Sequence, residues 1–242
     1  MKNIILFLII CVGVLMAEDE VISPADLTQV KSFAWLETGS REFTARAGFS
    51  GEFTKDFKYL ALIGHTRSYE RGDEKDDKTR VRLFAVHKVS WEPISYVGAS
   101  IDYIKSYDNN LIDNANTTAY GTIAKIETGV EWIVLFPNVA YITSDVTFKD
   151  NKKLKSKGYL LNLFASIYLD RNGKYIMLQP QYSNTEYLDT KKIEVSYGQP
   201  ISNDMKWWLT FKAGYEKNEI DYLGIKDSDT KEELKIGLIY YF

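Results

Sequence analysis

The feature that most constrains the fold of this sequence is a two-residue alternation of apolar and polar side chains that runs to the last residue. In the final segment, one face carries Leu234, Ile236, Leu238, Tyr240 and Phe242, and the other carries Lys235, Gly237, Ile239 and Tyr241. Successive side chains of a β-strand point to opposite faces, so this spacing predicts a strand with one face against an apolar environment. The pattern recurs along most of the chain and predicts an all-β protein.

Twelve segments carry the alternation. They span residues 30–38, 41–53, 57–69, 79–89, 95–107, 118–134, 139–148, 158–169, 175–186, 191–200, 207–221 and 230–242. Their connections alternate between tight turns, such as Phe136-Pro137-Asn138, and mostly longer charged stretches, such as Tyr222 to Asp229. An even strand number with two kinds of connection is typical of outer-membrane barrels. We predict a single twelve-stranded antiparallel transmembrane β-barrel over residues 30–242, with both termini in the periplasm.

The N-terminus has the parts of a secretory signal peptide. Lys2 is basic, an apolar stretch runs from Ile4 to Ala17, and acidic residues follow Ala17 directly. This stretch is shorter than the roughly 20 residues that a membrane-spanning helix needs. We predict that residues 1–17 are a signal peptide and that residues 18–29 are a periplasmic tail.

Composition excludes several other classes of protein. The 30 basic residues are balanced by 33 acidic ones, so the chain lacks the basic footprint of a nucleic-acid binder. The single cysteine, Cys11, excludes a disulfide framework and a cysteine-based zinc site. No phosphate-binding glycine loop and no metal-ligand spacing occurs, so we predict neither a cofactor nor a metal.

Alternation alone does not separate a soluble β-sandwich or lipocalin-like barrel from a membrane barrel, because the two differ only in which face is turned inward. Four features favour the membrane: export, the even strand count, strands longer than the 5 or 6 residues usual in soluble sheets, and aromatic residues near strand ends. These aromatic residues are Trp35, Phe43, Phe57, Tyr107, Trp132, Phe148, Tyr159, Tyr187, Tyr197, Trp207, Tyr240 and Phe242. We therefore expect the protein in the bacterial outer membrane.

The closing strand, which ends Gly237-Leu238-Ile239-Tyr240-Tyr241-Phe242, resembles the C-terminal signal that the barrel-insertion machinery reads in outer-membrane proteins. In size, strand count and short loops, the chain resembles the small monomeric porins of the oligogalacturonate-specific family, which includes a sialic-acid porin. The resemblance implies passive conduction of small hydrophilic solutes, including charged oligosaccharides, along inward-facing basic residues. The positions that match such a basic track are Arg46, Arg80, Arg82, Lys88, Lys125 and Lys212.

The presumed inner faces also carry acids, which depart from the family's basic track. These acids are Glu52, Asp102, Glu127, Glu131, Asp145, Glu194 and Glu216. Acids and bases are therefore close to balanced, and we predict a narrow lumen of mixed charge. Outer-membrane lipid and lipopolysaccharide are the expected surroundings, and the charged run from Glu70 to Asp77 is expected to be a solvated loop.

Two alternatives remain at this point. Some outer-membrane barrels hydrolyse lipids or peptides. His65 and His87 lie on adjacent predicted strands, so a protease-like catalytic pair of one Asp and one His stays an alternative. The second alternative is a structural or host-contact barrel whose loops are the active part. The short loops argue against it.

Overall fold

The computed structural model describes residues 23–71, 75–108, 112–222 and 225–242. The predicted signal peptide, residues 1–17, lies outside the described residues. The strands are β1 (Phe33–Gly39), β2 (Glu42–Thr54), β3 (Phe57–Ser68), β4 (Lys78–Trp91), β5 (Ile94–Ser106), β6 (Ile112–Glu127), β7 (Ile133–Phe148), β8 (Lys153–Tyr168), β9 (Tyr175–Thr185), β10 (Leu188–Pro200), β11 (Trp207–Tyr222) and β12 (Ile225–Tyr241). None of the described residues forms a helix long and apolar enough to cross a membrane.

The twelve strands close into one antiparallel barrel in sequence order, which confirms the predicted fold class and strand number. The barrel closes where β1 pairs with β12, from Phe33 opposite Tyr241 to Gly39 opposite Lys235. We call the end that holds Phe33 and Tyr241 the terminal end, and the other the distal end. Closure pairs each of the twelve described strands on both sides, so none of them has an open edge.

The wall has an apolar outer face and a different inner face. On β12, Leu234 is 71% exposed and Ile236 and Leu238 are also exposed, while Ile239 and Tyr241 of the opposite parity are buried inside the barrel. β8 shows the same division, with Leu161 outside and Phe164 inside. Rows of exposed aliphatic side chains around a closed barrel are what lipid contact requires.

The connection between β6 and β7 differs from the prediction. The sequence predicts a turn at Phe136-Pro137-Asn138, but the turn lies at residues 128–132 and residues 136–138 belong to β7. Gly129 takes a positive φ of 79°, a conformation that glycine adopts without steric cost, and so provides the turn. Pro137 is accommodated because the β6–β7 pairing skips from Ile123–Asn138 to Ile126–Leu135, where a proline has no N–H to donate.

Several charged stretches that were predicted to be long loops continue the strands instead. Tyr222 and Ile225 pair at the end of the β11–β12 hairpin, so most of the stretch from Tyr222 to Asp229 is strand. β6 already begins at Ile112 and β8 at Lys153. Backbone pairing continues past the apolar rows because polar side chains on both faces suit a strand that extends into water.

Residues 23–32, the N-terminal segment, enter the barrel at its terminal end and form no strand; Ser32, next to β1, bonds the end of β12, where its carbonyl oxygen accepts from Phe242 N. The segment forms turns, with Asp26 N donating to Ser23 O and Gln29 N donating to Asp26 O. Ala25 is fully buried among Trp208, Tyr175, Ile239 and Tyr241 of the wall. Most of the predicted periplasmic tail that the structure describes is therefore packed in the barrel mouth.

Candidate functional site

A buried carboxylate lies on the inner wall, where β1 closes on β12. Glu37 of β1 is only 2% exposed, and three cations surround it. Lys212 Nζ of β11 lies 3.1 Å from Glu37 Oε2, Arg46 Nη2 of β2 lies 3.5 Å from Oε1, and Lys235 Nζ of β12 lies 3.9 Å from Oε1. The closure of β1 on β12 brings these groups together.

The ionic contacts continue from Lys212 along one side of the wall. Lys212 Nζ lies 3.4 Å from Glu194, Lys192 Nζ lies 2.6 Å from Glu194, and the same ammonium is 3.7 Å from Glu216. Lys192 and Glu216 are each 31% exposed, so this part of the wall meets solvent. The charges alternate in sign, and each carboxylate therefore has a cation beside it.

The contacts continue in the other direction through Lys235. Its Nζ lies 2.5 Å from Glu42 and 2.8 Å from Glu233. Lys78 joins this group, 3.7 Å from Glu42 and 3.0 Å from Asp76. Burial raises the pKa of Asp76, but the Lys78 ammonium outweighs that effect and holds this pKa below its usual range.

We call this whole set the ion network. Its members are Glu37, Glu42, Arg46, Asp76, Lys78, Lys192, Glu194, Lys212, Glu216, Glu233 and Lys235. Several of them line a cavity of about 80 Å³ in the distal half of the lumen. Five bases and six acids nearly cancel, so the cavity presents both signs of charge.

Trp35 lies inside the barrel, although its place near a strand end suggested an interfacial aromatic residue. Its ring faces Arg46 at 4.8 Å and Lys212 at 5.0 Å. A cation over an indole face is attracted by the ring quadrupole. Trp35 therefore holds two of the cations that surround Glu37.

A second cluster lies on β4 and β5. Arg82 Nη2 donates to Asp102 Oδ2 at 2.7 Å, and Arg80 Nε donates to Oδ1 of the same carboxylate at 2.7 Å. Two guanidinium groups share one carboxylate, so the cluster has a net charge of +1. We call it the arginine cluster.

Amide side chains face the same small cavity as the arginine cluster. Asn138 Nδ2 donates to Ser100 Oγ at 2.8 Å, and Asn162 and Gln181 also line the cavity. Among the described residues, the buried Asn162 Oδ1 has no hydrogen-bond partner. An arginine pair beside several amides can hydrogen-bond the hydroxyl and carboxylate groups of a solute.

The terminal half of the inner wall carries a cluster of buried apolar side chains. We call this region the apolar collar, and its buried members are Leu60, Phe84, Val86, Ile123, Val134, Phe136 and Phe164. Leu27 of the N-terminal segment packs against it. Phe136 is 1% exposed, so its ring is covered by its neighbours.

Polar contacts also hold the N-terminal segment in place. Lys125 Nζ of β6 lies 3.0 Å from Asp26 Oδ2, and it also donates to Thr28 Oγ1. Ser166 Oγ of β8 donates to Ala25 O at 2.8 Å. The segment thus makes polar contacts with β6 and β8, and through Ala25 it packs against β9, β11 and β12.

Most of the twelve residues predicted to line a pore lie in these two groups and at the mouth. Arg46, Lys212, Glu194 and Glu216 belong to the ion network, and Arg80, Arg82 and Asp102 form the arginine cluster. Lys125 binds the N-terminal segment. The sequence did not single out Glu37, Lys235 or Asp26, although Lys235 already had the parity of the inner face.

Four predicted lining residues lie elsewhere. Lys88 and Glu127 are exposed at the terminal end of their strands, and Glu131 is in the turn between β6 and β7. Asp145 lies on the outer side, where it meets Lys155 at 3.7 Å. Asp145 lies four residues after the exposed Tyr141 on the same uninterrupted strand, so both side chains point outwards.

The two histidines do not meet. His65 lies opposite Thr79 of β4, whereas His87 of β4 lies opposite Phe57. Eight residues of β4 separate these positions, a distance of about 27 Å along a strand. Within the part of the chain that the structure describes, no group of His, Cys, Asp and Glu side chains could hold a metal ion.

Solved structures with the same architecture are outer-membrane barrels. The outer membrane channel from Pseudomonas putida F1 matches with a TM-score of 0.63 at 10% identity, over 91% of this chain and 100% of that one. The KdgM porin in complex with disordered oligogalacturonate matches with a TM-score of 0.53 at 13% identity, over 88% and 99%. The chain shares the fold of these outer-membrane channels.

The NanC porin has the same fold, with a TM-score of 0.51 at 8% identity over 88% of this chain and 99% of that one. The family resemblance that the closing strand and the strand count predicted is therefore confirmed at the level of the fold. No protein-family model and no curated protein matches the sequence.

Proposed function

We propose that this protein is an outer-membrane channel that passes small hydrophilic solutes through the barrel. One observation carries the proposal: the outer face of the wall is apolar, while the distal half of the inner face carries the ion network. Ionised groups without water or partners cost several kcal/mol each to bury. A hydrated lumen with mutually paired charges is the arrangement that avoids this cost.

The solute path begins in the distal half of the lumen. A solute entering there meets the ion network on one side and the arginine cluster, with its amides, on the other. Charged groups that line a passage sort solutes by charge. The positive and negative charges of the ion network nearly cancel, which favours uncharged and dipolar solutes. The arginine cluster has a net charge of +1 and attracts carboxylates, including those of charged oligosaccharides.

The outer wall fits the outer membrane. The outer face of β8 carries, in order towards the distal end, Leu163, Leu161 and Tyr159. Three exposed lysines follow on the same face. These are Lys157, Lys155 and Lys153. The order of aliphatic, aromatic and basic residues matches acyl chains, the membrane interface and anionic headgroups. We propose that the lysine row contacts the phosphates of lipopolysaccharide, with the distal end outside the cell.

We propose that the barrel-insertion machinery binds the protein at its terminal residue. Phe242 is exposed on the outer face, and its ring lies 5.2 Å from that of Tyr240 in an edge-to-face arrangement. Tyr240 in turn lies 4.7 Å from Trp207. This aromatic group at the terminal end is accessible to a factor that binds the last strand.

A hydrolytic function has no comparable support. A nucleophile, a base and an orienting group must lie within hydrogen-bond distance of one another. The one hydrogen bond described for a histidine ring joins His65 Nδ1 to Thr79 Oγ1 at 3.0 Å on the exposed outer side of the wall. We therefore propose a transport protein and not an enzyme.

Liposome swelling tests the proposal. Mature protein in liposomes should allow entry of glycine, glucose and galacturonate but exclude a large dextran. Liposomes that received heat-denatured protein are the control. Equal swelling with and without folded protein, for every solute, would contradict the proposed function.

A further inference from the structure

We propose that the N-terminal segment is a gate that closes the terminal end of the lumen and leaves it when the channel conducts. This inference rests on the proposed function, because a gate needs a passage. Two sets of contacts carry it: the packing of Leu27 and Ala25 against the apolar side chains of the mouth, and the Lys125–Asp26 ion pair that fastens the segment to β6.

The collar is a seal only while the segment is in place. The charged distal half of the lumen needs water, but the terminal half presents Phe84, Phe136 and Phe164 to the same interior. Leu27 packs against this ring and Ala25 fills the space beside Trp208. A narrow apolar constriction closed by apolar side chains excludes water and therefore ions.

The segment is attached in a way that allows it to leave as a unit. It adds no strand to the sheet, so its departure leaves the β1–β12 and β1–β2 ladders intact. The described contacts that fasten it to the wall include Lys125 with Asp26, Ser166 with Ala25, and Ser23 Oγ with Gly173 O. These contacts break separately from the barrel, and the closed state is the one in which they are made.

The hinge lies at the start of β1. Phe33, the first residue of β1, packs on Tyr241 with ring centroids 5.5 Å apart. A Cβ at Gly48 would lie 2.3 Å from the Phe33 ring, so a glycine is needed there for the ring to fit. Phe33 is therefore fixed in the wall, and the chain before it can swing towards the periplasm.

Asp26→Lys tests the fastening directly. The change places an ammonium against Lys125 and turns attraction into repulsion, so the open probability in planar bilayers should rise at least tenfold. Asp56→Lys is the matched control, because Asp56 is exposed in the connection between β2 and β3 at the same end. Leu27→Asp, which puts a charge in the collar, should act like Asp26→Lys.

A disulfide tests the movement itself. The chain's single cysteine, Cys11, lies in the predicted signal peptide, so a cysteine pair at Ala25 and Ser166 can be introduced without competition. The oxidised pair should abolish conductance, and a reductant should restore it. Equal open probability in the wild type, Asp26→Lys and the oxidised pair would overturn the gate. A disulfide that blocks conductance irreversibly even after reduction would also count against it.

Thiol labelling separates failure of the gate from failure of the proposed channel. Ser166 is fully buried beneath Ala25, so Ser166→Cys should react with a methanethiosulfonate reagent only when the segment leaves. Thr44→Cys, buried in the distal half, is the control and should stay unreactive. Faster labelling of Ser166→Cys in the Asp26→Lys background, without conductance in any variant, would support the moving segment and overturn the channel. Unchanged labelling together with unchanged conductance would overturn the gate alone.

Discussion

Lys212 of β11 and Glu37 of β1 lie 175 positions apart in the sequence, yet their charged atoms are 3.1 Å apart inside the barrel. Glu37 is nearly inaccessible to water, and Arg46 and Lys235 approach it from two other strands. The contact exists only because β12 closes on β1. It therefore links the integrity of the barrel to the electrostatics of the lumen.

Glu37→Gln should destabilise the folded barrel by about 3 kcal/mol, because it leaves buried cations without their shared carboxylate. Glu52→Gln is the matched control: Glu52 is 39% exposed and meets Lys58 at 3.3 Å, so its removal should cost about 0–1 kcal/mol. Urea titration in detergent micelles, followed by heat-modifiable gel mobility, measures both. Equal midpoints for the two variants would mean that the ion network does not stabilise the barrel.

Replacing both Arg80 and Arg82 with Glu should shift ion selectivity towards cations. The arginine cluster changes from net +1 to net −3, and repulsion of anions follows. The reversal potential in a tenfold KCl gradient should move towards the cation value. Lys155→Glu, on the outer side of the wall, is the control and should leave the reversal potential unchanged. If both variants give the wild-type value, the arginine cluster does not face the conducting path.

Replacing Lys153, Lys155 and Lys157 together with Gln should weaken binding to lipopolysaccharide about a hundredfold. Each lysine near an anionic lipid surface contributes about 1 kcal/mol, so three contribute about 3 kcal/mol. The control replaces three exposed lysines of the terminal end, Lys55, Lys88 and Lys206. Retention of labelled lipopolysaccharide by purified protein measures the effect. Equal losses in both triple variants would show a response to net charge and not to the lysine row.

Asp170→Ala should lower the melting temperature at pH 7 but much less at pH 2. Burial raises the pKa of Asp170, but backbone and side-chain hydrogen bonds from Lys174 and the backbone N–H of Asn172 outweigh this and hold the pKa below its usual range. A carboxyl group whose pKa is lower in the folded protein stabilises the fold at pH values above its pKa in the unfolded chain, which is about 4. This stabilisation is lost as the pH falls through the pKa of the folded protein. Asn172→Ala is the control: it removes no titratable group, so its effect on the melting temperature should not change with pH.

Phe242→Ala should reduce the amount of assembled barrel in the outer membrane several-fold, because the exposed terminal ring is accessible to a factor that binds the last strand. Phe53→Ala is the control, since Phe53 is also an exposed aromatic residue near the terminal end. Immunoblots of outer-membrane fractions, with and without heating, measure the folded amount. Wild-type levels of the Phe242→Ala protein would mean that assembly does not depend on this side chain.

Where the alternation was clear, it predicted the fold. The segment that ends at Phe242 and the segment from Trp207 became β12 and β11 with the expected faces. The prediction failed at β6 and β7, because proline normally marks a turn, whereas Pro137 is placed where the ladder skips two pairs. Asp145 was assigned to the inner face, but it has the parity of the exposed Val139 and Tyr141 and therefore lies outside.

The sequence by itself determined the strand number, the all-β class and the presence of an apolar outer face, because alternation is a local property that every strand carries. Only the tertiary structure decided that Glu37 would meet Lys212 and that Lys125 would hold Asp26, because both contacts depend on how distant strands close into a ring. The N-terminal segment has no periodicity of its own. Its burial follows from the apolar collar that the assembled barrel places around it.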